Sequence, residues 1–132
     1  MNVYNGSTYD PNYNNVEATV LASAARTTTQ TSADFVNYNH KALVVVLDMT
    51  TVGTGSVTLT IQGKDSASGK YYTILTGAAV ITNSTNVYKV YPGLTAVTNV
   101  TVSDIIPAIF RVTVTANNAN ATVYTVGASV VR

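Results

Sequence analysis

The sequence has no cysteine, no tryptophan, one histidine and only 10% charged residues. Without Cys there is no disulfide framework, no thiolate metal site and no thiol nucleophile, although the redox compartment stays open because a large core can do without disulfides. One His excludes a His-based metal triad and a relay between two imidazoles. Seven Lys and Arg stand against six Asp and Glu, so the net charge is +1 and no basic footprint for nucleic acid exists. The longest apolar run is Ala42 to Leu47, far short of the roughly 20 residues of a membrane helix. The start, Met1-Asn2-Val3-Tyr4-Asn5-Gly6, has neither a basic n-region nor an apolar h-region. It therefore reads as no signal peptide, and export by the general secretory route is not expected. The Asn-x-Ser/Thr sequences at Asn5, Asn83, Asn99 and Asn120 then count as chance matches among 13 Asn.

What is abundant is β-branched. Thr occurs 22 times and Val 21 times in 132 residues, and both suit a pleated, half-buried surface better than a helix. Low charge accompanies disorder only when hydrophobicity is also low, and here hydrophobic residues make up 46%. The length allows one domain. The first seventeen residues stand apart: the stretch as a whole is rich in Asn, shows no sustained period and carries Tyr4, Tyr9 and Tyr13. It reads as a segment 1–17 that is either a frayed terminus or an arm ordered on a partner through its Tyr rings, ahead of a domain spanning 18–132.

Within that domain, Thr19 to Arg26 reads as an edge strand and Thr27 to Asp34 as a loop or loosely paired strand. Ala42 to Met49 reads as a central strand covered on both faces. Val52-Gly53-Thr54-Gly55 is a turn. Ser56 to Gln62 alternates strictly, with Val57, Leu59 and Ile61 to one side. Lys64 to Lys70 is a hairpin loop leading to a strand from Tyr71 to Leu75. Ala78 to Thr82 pairs with Val87 to Tyr91, and Pro92-Gly93 fits a type II turn. A short strand follows at Val97 to Val102, and Pro107 opens the next segment. A last hairpin joins Phe110 to Thr115 with Thr122 to Val131 around Asn117-Asn118-Ala119-Asn120.

The pattern predicts an all-β fold, a single antiparallel β-sandwich or jelly roll of seven to nine strands with an extended N-terminal arm. Its expected core is Val44, Val46, Val57, Leu59, Ile61, Ile74, Phe110, Val112, Val114, Tyr124 and Val126.

A catalytic set is hard to assemble. His40 lies in the polar stretch Asn37-Tyr38-Asn39-His40-Lys41 and is expected to be solvated. A triad with Asp34 or Asp48 has no Gly-x-Ser-x-Gly elbow beside it. The six carboxylates are dispersed, most of them beside turn residues, where Asp caps backbone amides. Asp65 to Gly69 offers one charge, too little for a Ca²⁺ loop, and Gly53-Thr54-Gly55-Ser56 lacks the Lys of a phosphate loop. Tyr71, Tyr72, Tyr88 and Tyr91 read first as core and cross-strand packing rather than a stacking platform. No enzyme, cofactor or metal is expected.

Five segments together resemble a known group. They are Ser23-Ala24-Ala25-Arg26-Thr27, Gly55 to Asp65 with Ile61-Gln62-Gly63-Lys64-Asp65, Ser68 to Leu75, Val90-Tyr91-Pro92-Gly93-Leu94-Thr95, and Phe110 to Val114. They resemble small β-rich proteins from the structural gene blocks of tailed bacteriophages, over about Leu21 to Val131. Such proteins often carry Trp where Phe110 stands, a tolerable core swap, and begin near Leu21, so the role of Met1 to Val20 is not inherited. The resemblance implies a virion component made in the host cytoplasm. The reading it favours is a capsid decoration (cement) protein on the outer surface of the major capsid protein shell. It would work as a homotrimer or other symmetric homo-oligomer, with Tyr4, Tyr9 and Tyr13 as partner contacts. The alternatives are a tail, neck or fibre-associated component and a carbohydrate-binding host-contact module.

Overall fold

The structure, a computed structural model, describes residues 15–132. The chain runs through β1 (Val16–Arg26), β2 (Gln30–Thr31), β3 (Phe35–Val36), β4 (Ala42–Thr51), β5 (Val57–Lys64), β6 (Tyr71–Thr76), β7 (Ser84–Val90), β8 (Thr101–Val102), β9 (Ile109–Ala116) and β10 (Thr122–Val131). No helix occurs among the described residues. The fold is all-β, with ten strands among the described residues where the sequence pattern predicts seven to nine. Strand β8 falls inside the short strand expected at Val97 to Val102 and β2 inside the loosely paired stretch Thr27 to Asp34, whereas β3, two residues long, leaves no periodic trace in the sequence.

The strands form two mostly antiparallel sheets. Sheet A has the order β1-β10-β4-β7-β8, and sheet B the order β2-β9-β5-β6 with β3 also on β9. Their inner faces share one core, which contains Leu43, Val45 and Leu47 of β4 beside Leu59 and Ile61 of β5 and Val112 and Val114 of β9. Burying each such side chain contributes roughly 1.5–3 kcal/mol. The arrangement is sandwich-like.

Strand β5 keeps the expected phase: Val57, Leu59 and Ile61 are buried and Thr58, Thr60 and Gln62 half-buried. Strand β4 does not. Leu43, Val45, Leu47 and Met49 are the buried set, whereas Val44 and Val46 face outward and are half-buried. A run in which every residue is apolar carries no alternation to fix its phase. Asp48 fixes it instead, because a carboxylate on the outer face sends the odd-numbered residues inward. Strand β4 is thus central, but it is not sealed on its outer face.

Two expected pairings are replaced. Strands β9 and β10 are no hairpin: β9 pairs with β2, β3 and β5 in sheet B, and β10 pairs with β1 and β4 in sheet A. The Asn-rich connection between them is a crossover held to the β4–β5 turn. Asn118 Nδ2 and Asn120 Nδ2 donate to the Thr54 carbonyl at 3.1 and 3.2 Å, and Asn117 N donates to Ser56 O at 2.9 Å. A Cβ on Gly55 would lie 2.3 Å from Thr122 Cγ2, so only glycine lets the two crossovers meet. Ala78 to Thr82 likewise forms no strand beside β7. Val80 makes an isolated bridge to Val57, and β7 pairs with β4 and β8.

Other local features follow the sequence. The β5–β6 hairpin pairs Lys64 with Tyr71. Gly93 has φ +95° within a Tyr91–Leu94 turn closed by Leu94 N donating to Tyr91 O at 3.3 Å. Strand β1 lies at the edge of sheet A and already includes Val16 and Glu17. Tyr4, Tyr9 and Tyr13, with most of the 1–17 segment, lie outside the described residues.

Candidate interaction surface

At one side of the molecule the two sheets part around an apolar cleft of about 310 Å³. One wall is Val16 and Ala18 of β1 with Ala128 and Val130 of β10; the other is Phe35, Val36 and Tyr38 with Phe110 of β9. Pairing builds both walls. Val16 sits opposite Val130 and Ala18 opposite Ala128, so all four share the inner face of sheet A. Phe35 pairs with Phe110, and their rings meet at 5.6 Å, tilted by 39°. Phe110 is buried, but Val36 is 54% and Tyr38 51% exposed. Large apolar side chains gathered at the mouth of an apolar cleft mark an interaction site more readily than the same residues scattered singly.

Among the described residues, Asp34 is the only charged one lining the cleft, and its charge is engaged. Tyr71 OH donates to its Oδ1 at 2.8 Å, and Lys64 Nζ lies 3.1 Å from its Oδ2. The Tyr71 hydroxyl first, and Lys64 second, hold the Asp34 carboxyl below the usual carboxylate range. The network continues over the outer face of sheet B. The Arg111 guanidinium carbon lies 3.4 Å from the Tyr71 ring centroid, and Arg111 Nε donates to Gln62 Oε1 at 2.8 Å. Cross-strand pairing of Gln62 with Arg111 and of Lys64 with Tyr71 sets these contacts.

His40 is not solvated. It is 4% exposed, in the loop between β3 and β4. Asn37 closes that loop: its Oδ1 accepts from His40 N at 2.9 Å, and its Nδ2 donates to His40 O at 2.9 Å. Asn39 is left-handed at φ 65°, which folds the residue after it inward. Polar neighbours in sequence therefore do not make an open loop here, because Asn37 binds the His40 backbone on both sides. The carboxylates that a triad would need are committed elsewhere: Asp34 to Tyr71 and Lys64, and Asp48 to the Thr85 hydroxyl at 3.0 Å.

Asp65 caps its hairpin. It accepts from Ala67 N and Ser68 N at 3.2 Å each and from Ser68 Oγ at 2.6 Å, and the Ser68 hydroxyl leads in holding its carboxyl below the ordinary range. Among the described residues no three His, Cys, Asp or Glu gather to hold a metal ion. The cleft itself escapes sequence reasoning because its walls come from four separate strands. Phe35-Val36 and Tyr38 within a polar stretch are the one local signal. Compared with known proteins, the chain matches no family model, no curated protein and no solved structure.

Proposed function

We propose that this chain is a non-enzymatic structural component of a tailed-bacteriophage virion, a β-sandwich capsid decoration protein that binds the outer surface of the major capsid protein shell as a symmetric homo-oligomer. The observation that carries the reading is the open apolar cleft, whose rim leaves Val36 and Tyr38 half-exposed. An isolated domain gains nothing by leaving such a surface in water, whereas a subunit of an assembly covers it. The resemblance of Ile61-Gln62-Gly63-Lys64-Asp65 and Tyr91-Pro92-Gly93-Leu94-Thr95 to phage structural proteins supports the same reading. A small domain buries little surface per contact, so copy number and symmetry supply the avidity.

The test is quantitative mass spectrometry of purified virions, combined with binding of the full chain to heads that lack it. Decoration expects a copy number proportional to that of the major capsid protein and saturable binding to heads. A few copies per particle would place the chain in the tail or neck. Absence from the virion, with binding on a glycan array, would replace the reading by host-surface carbohydrate recognition.

A further inference from the structure

We propose that the inter-sheet cleft, with the adjoining edge of β1, receives residues 9–13 of a second copy of this chain. The inference rests on the homo-oligomeric part of the reading above and names the contact that makes the oligomer.

Three observations converge on that occupant. The first is the edge. Strand β1 pairs with β10 on one side, and no other described strand pairs with it. From Val16 to Thr19 its register with β10 is unbroken, and the irregularities begin only between Thr19 and Leu21. These four residues form a straight ladder onto which a strand can be added, whereas the bulged stretch beyond them cannot template one. Farther on, Arg26 donates to the carbonyls of Ala22 and Ala24 and so blunts that part of the strand.

The second is the lining. A strand added beside Val16 and Ala18 would turn its alternate side chains toward the cleft, because Val16 and Ala18 themselves point there. The cleft is apolar, and the one carboxylate that lines it among the described residues, Asp34, is already engaged by Tyr71 and Lys64. It suits aromatic or aliphatic side chains and rejects charged ones.

The third is what the chain itself can deliver. Fourteen residues precede the described part, and they join β1 at the rim of the cleft, next to Val16. Their last six, Tyr9-Asp10-Pro11-Asn12-Tyr13-Asn14, alternate apolar with polar. As a strand, this stretch puts Tyr9, Pro11 and Tyr13 on one face and Asp10, Asn12 and Asn14 on the other. Tyr9 and Tyr13 would then stand about 13 Å apart on the face directed into the cleft. Each ring brings some 150–250 Å² to bury.

Chain geometry favours a second copy over the same one. Folding back on itself across Asn14-Asn15 would pair Tyr13 with Val16 and Pro11 with Ala18. In a two-residue hairpin the pair flanking the turn is hydrogen-bonded and bonding alternates from there, which puts Pro11 on a bonded position. Pro has no N–H to give. A strand from another copy is free to take the register that turns the Pro11 nitrogen to solvent.

The absence of Cys makes the test clean. Full-length Tyr13→Cys and full-length Val36→Cys, one carrying a mass tag, are mixed under mild oxidation and resolved by non-reducing electrophoresis. Val36 is 54% exposed, so its substitution leaves folding intact. The expected result is a mixed disulfide in clear excess over both homodisulfides. No disulfide, or homodisulfides in equal or greater amount, overturns the proposal. Independently, the double variant Tyr9→Ser, Tyr13→Ser should raise the self-association dissociation constant about thirtyfold or more per ring removed, read by sedimentation. An unchanged constant also overturns it. A chain that passes both tests yet fails to bind heads refutes the particle reading alone.

Discussion

The two sheets share one core but turn different outer faces to their surroundings. On sheet B the outward positions are Thr58, Thr60, Gln62 and Lys64 of β5 and Arg111, Thr113 and Thr115 of β9, and they bind one another: Gln62 accepts from Arg111, and Asn117 Nδ2 donates to Thr58 Oγ1 at 3.0 Å. On sheet A the outward positions include Val44 and Val46 of β4 and Val87 of β7. Gly127 of β10 leaves a recess of about 330 Å³ beside them. The inner faces obey one rule, and the outer faces do not. Sheet B satisfies its own outer groups, whereas sheet A leaves apolar side chains half-covered.

The comparison breaks most sharply by exchanging faces. Ile61→Asp puts an unpaired charge at a position of 0% exposure and should leave no soluble folded protein, at a cost of several kcal/mol, while Thr60→Asp should fold. On sheet A, Val45→Asp should behave like Ile61→Asp, and Val44→Asp like Thr60→Asp. Soluble yield and the far-ultraviolet circular dichroism melt check all four, and a folded Val45→Asp would reverse the face assignment of β4.

A smaller effect comes from the inner rim. A Cβ on Gly77 would sit 2.6 Å from the Tyr88 ring, so Gly77→Ala should cost about 1–3 kcal/mol in denaturant unfolding. His40→Ala falls in the same range because the imidazole is buried, although its sequence neighbours are polar.

Titration tests the faces at both ends of the pH scale. Burial raises the pKa of Tyr88 and, against a smaller opposing effect of Arg26, that of Tyr124. A raised folded-state pKa means stability is full below the unfolded value near 10 and falls as pH rises beyond it. Asp34 and Asp65 are shifted the other way, so what they contribute is present above about pH 4 and is lost on acidification through their lowered values. Melting temperature against pH should therefore decline at both ends, the alkaline fall accompanied by phenolate absorbance appearing together with unfolding. The smallest expected effect is Arg111→Ala. It removes the stack on Tyr71 from the exposed side of sheet B, costs about 0.5–1 kcal/mol and leaves the fold unchanged.

The same contrast explains what was legible in the sequence. In β5 and β9, polar Thr, Gln and Arg alternate with Val, Leu and Ile, so both the strands and their buried faces could be read directly. In β4 the outer face is Val as well, and the phase was lost except for the mark left by Asp48. The crossover between β9 and β10 looked like a hairpin because local turn residues do not tell which sheet the returning strand joins. That choice is made by the Asn side chains that bind the Thr54 carbonyl, some 60 residues away in sequence. The cleft was invisible for a similar reason, since it exists only once strands from both ends of the chain stand side by side.

The position of β10 has a consequence for how the protein is made. It lies between β1 and β4, pairing Val16 with Val130 and Leu43 with Val130. Strand β1 leaves the ribosome first and has no pairing partner in sheet A until residues 122–131 follow it. Sheet A therefore cannot close before β10 has been made. Until then the nascent chain must carry β1 and the apolar strand β4 unpaired along this edge, and low net charge gives it little repulsion against self-association meanwhile. Slowing elongation would prolong that exposure without helping the sheet to form, so the yield of folded protein should depend on how fast the last strand arrives.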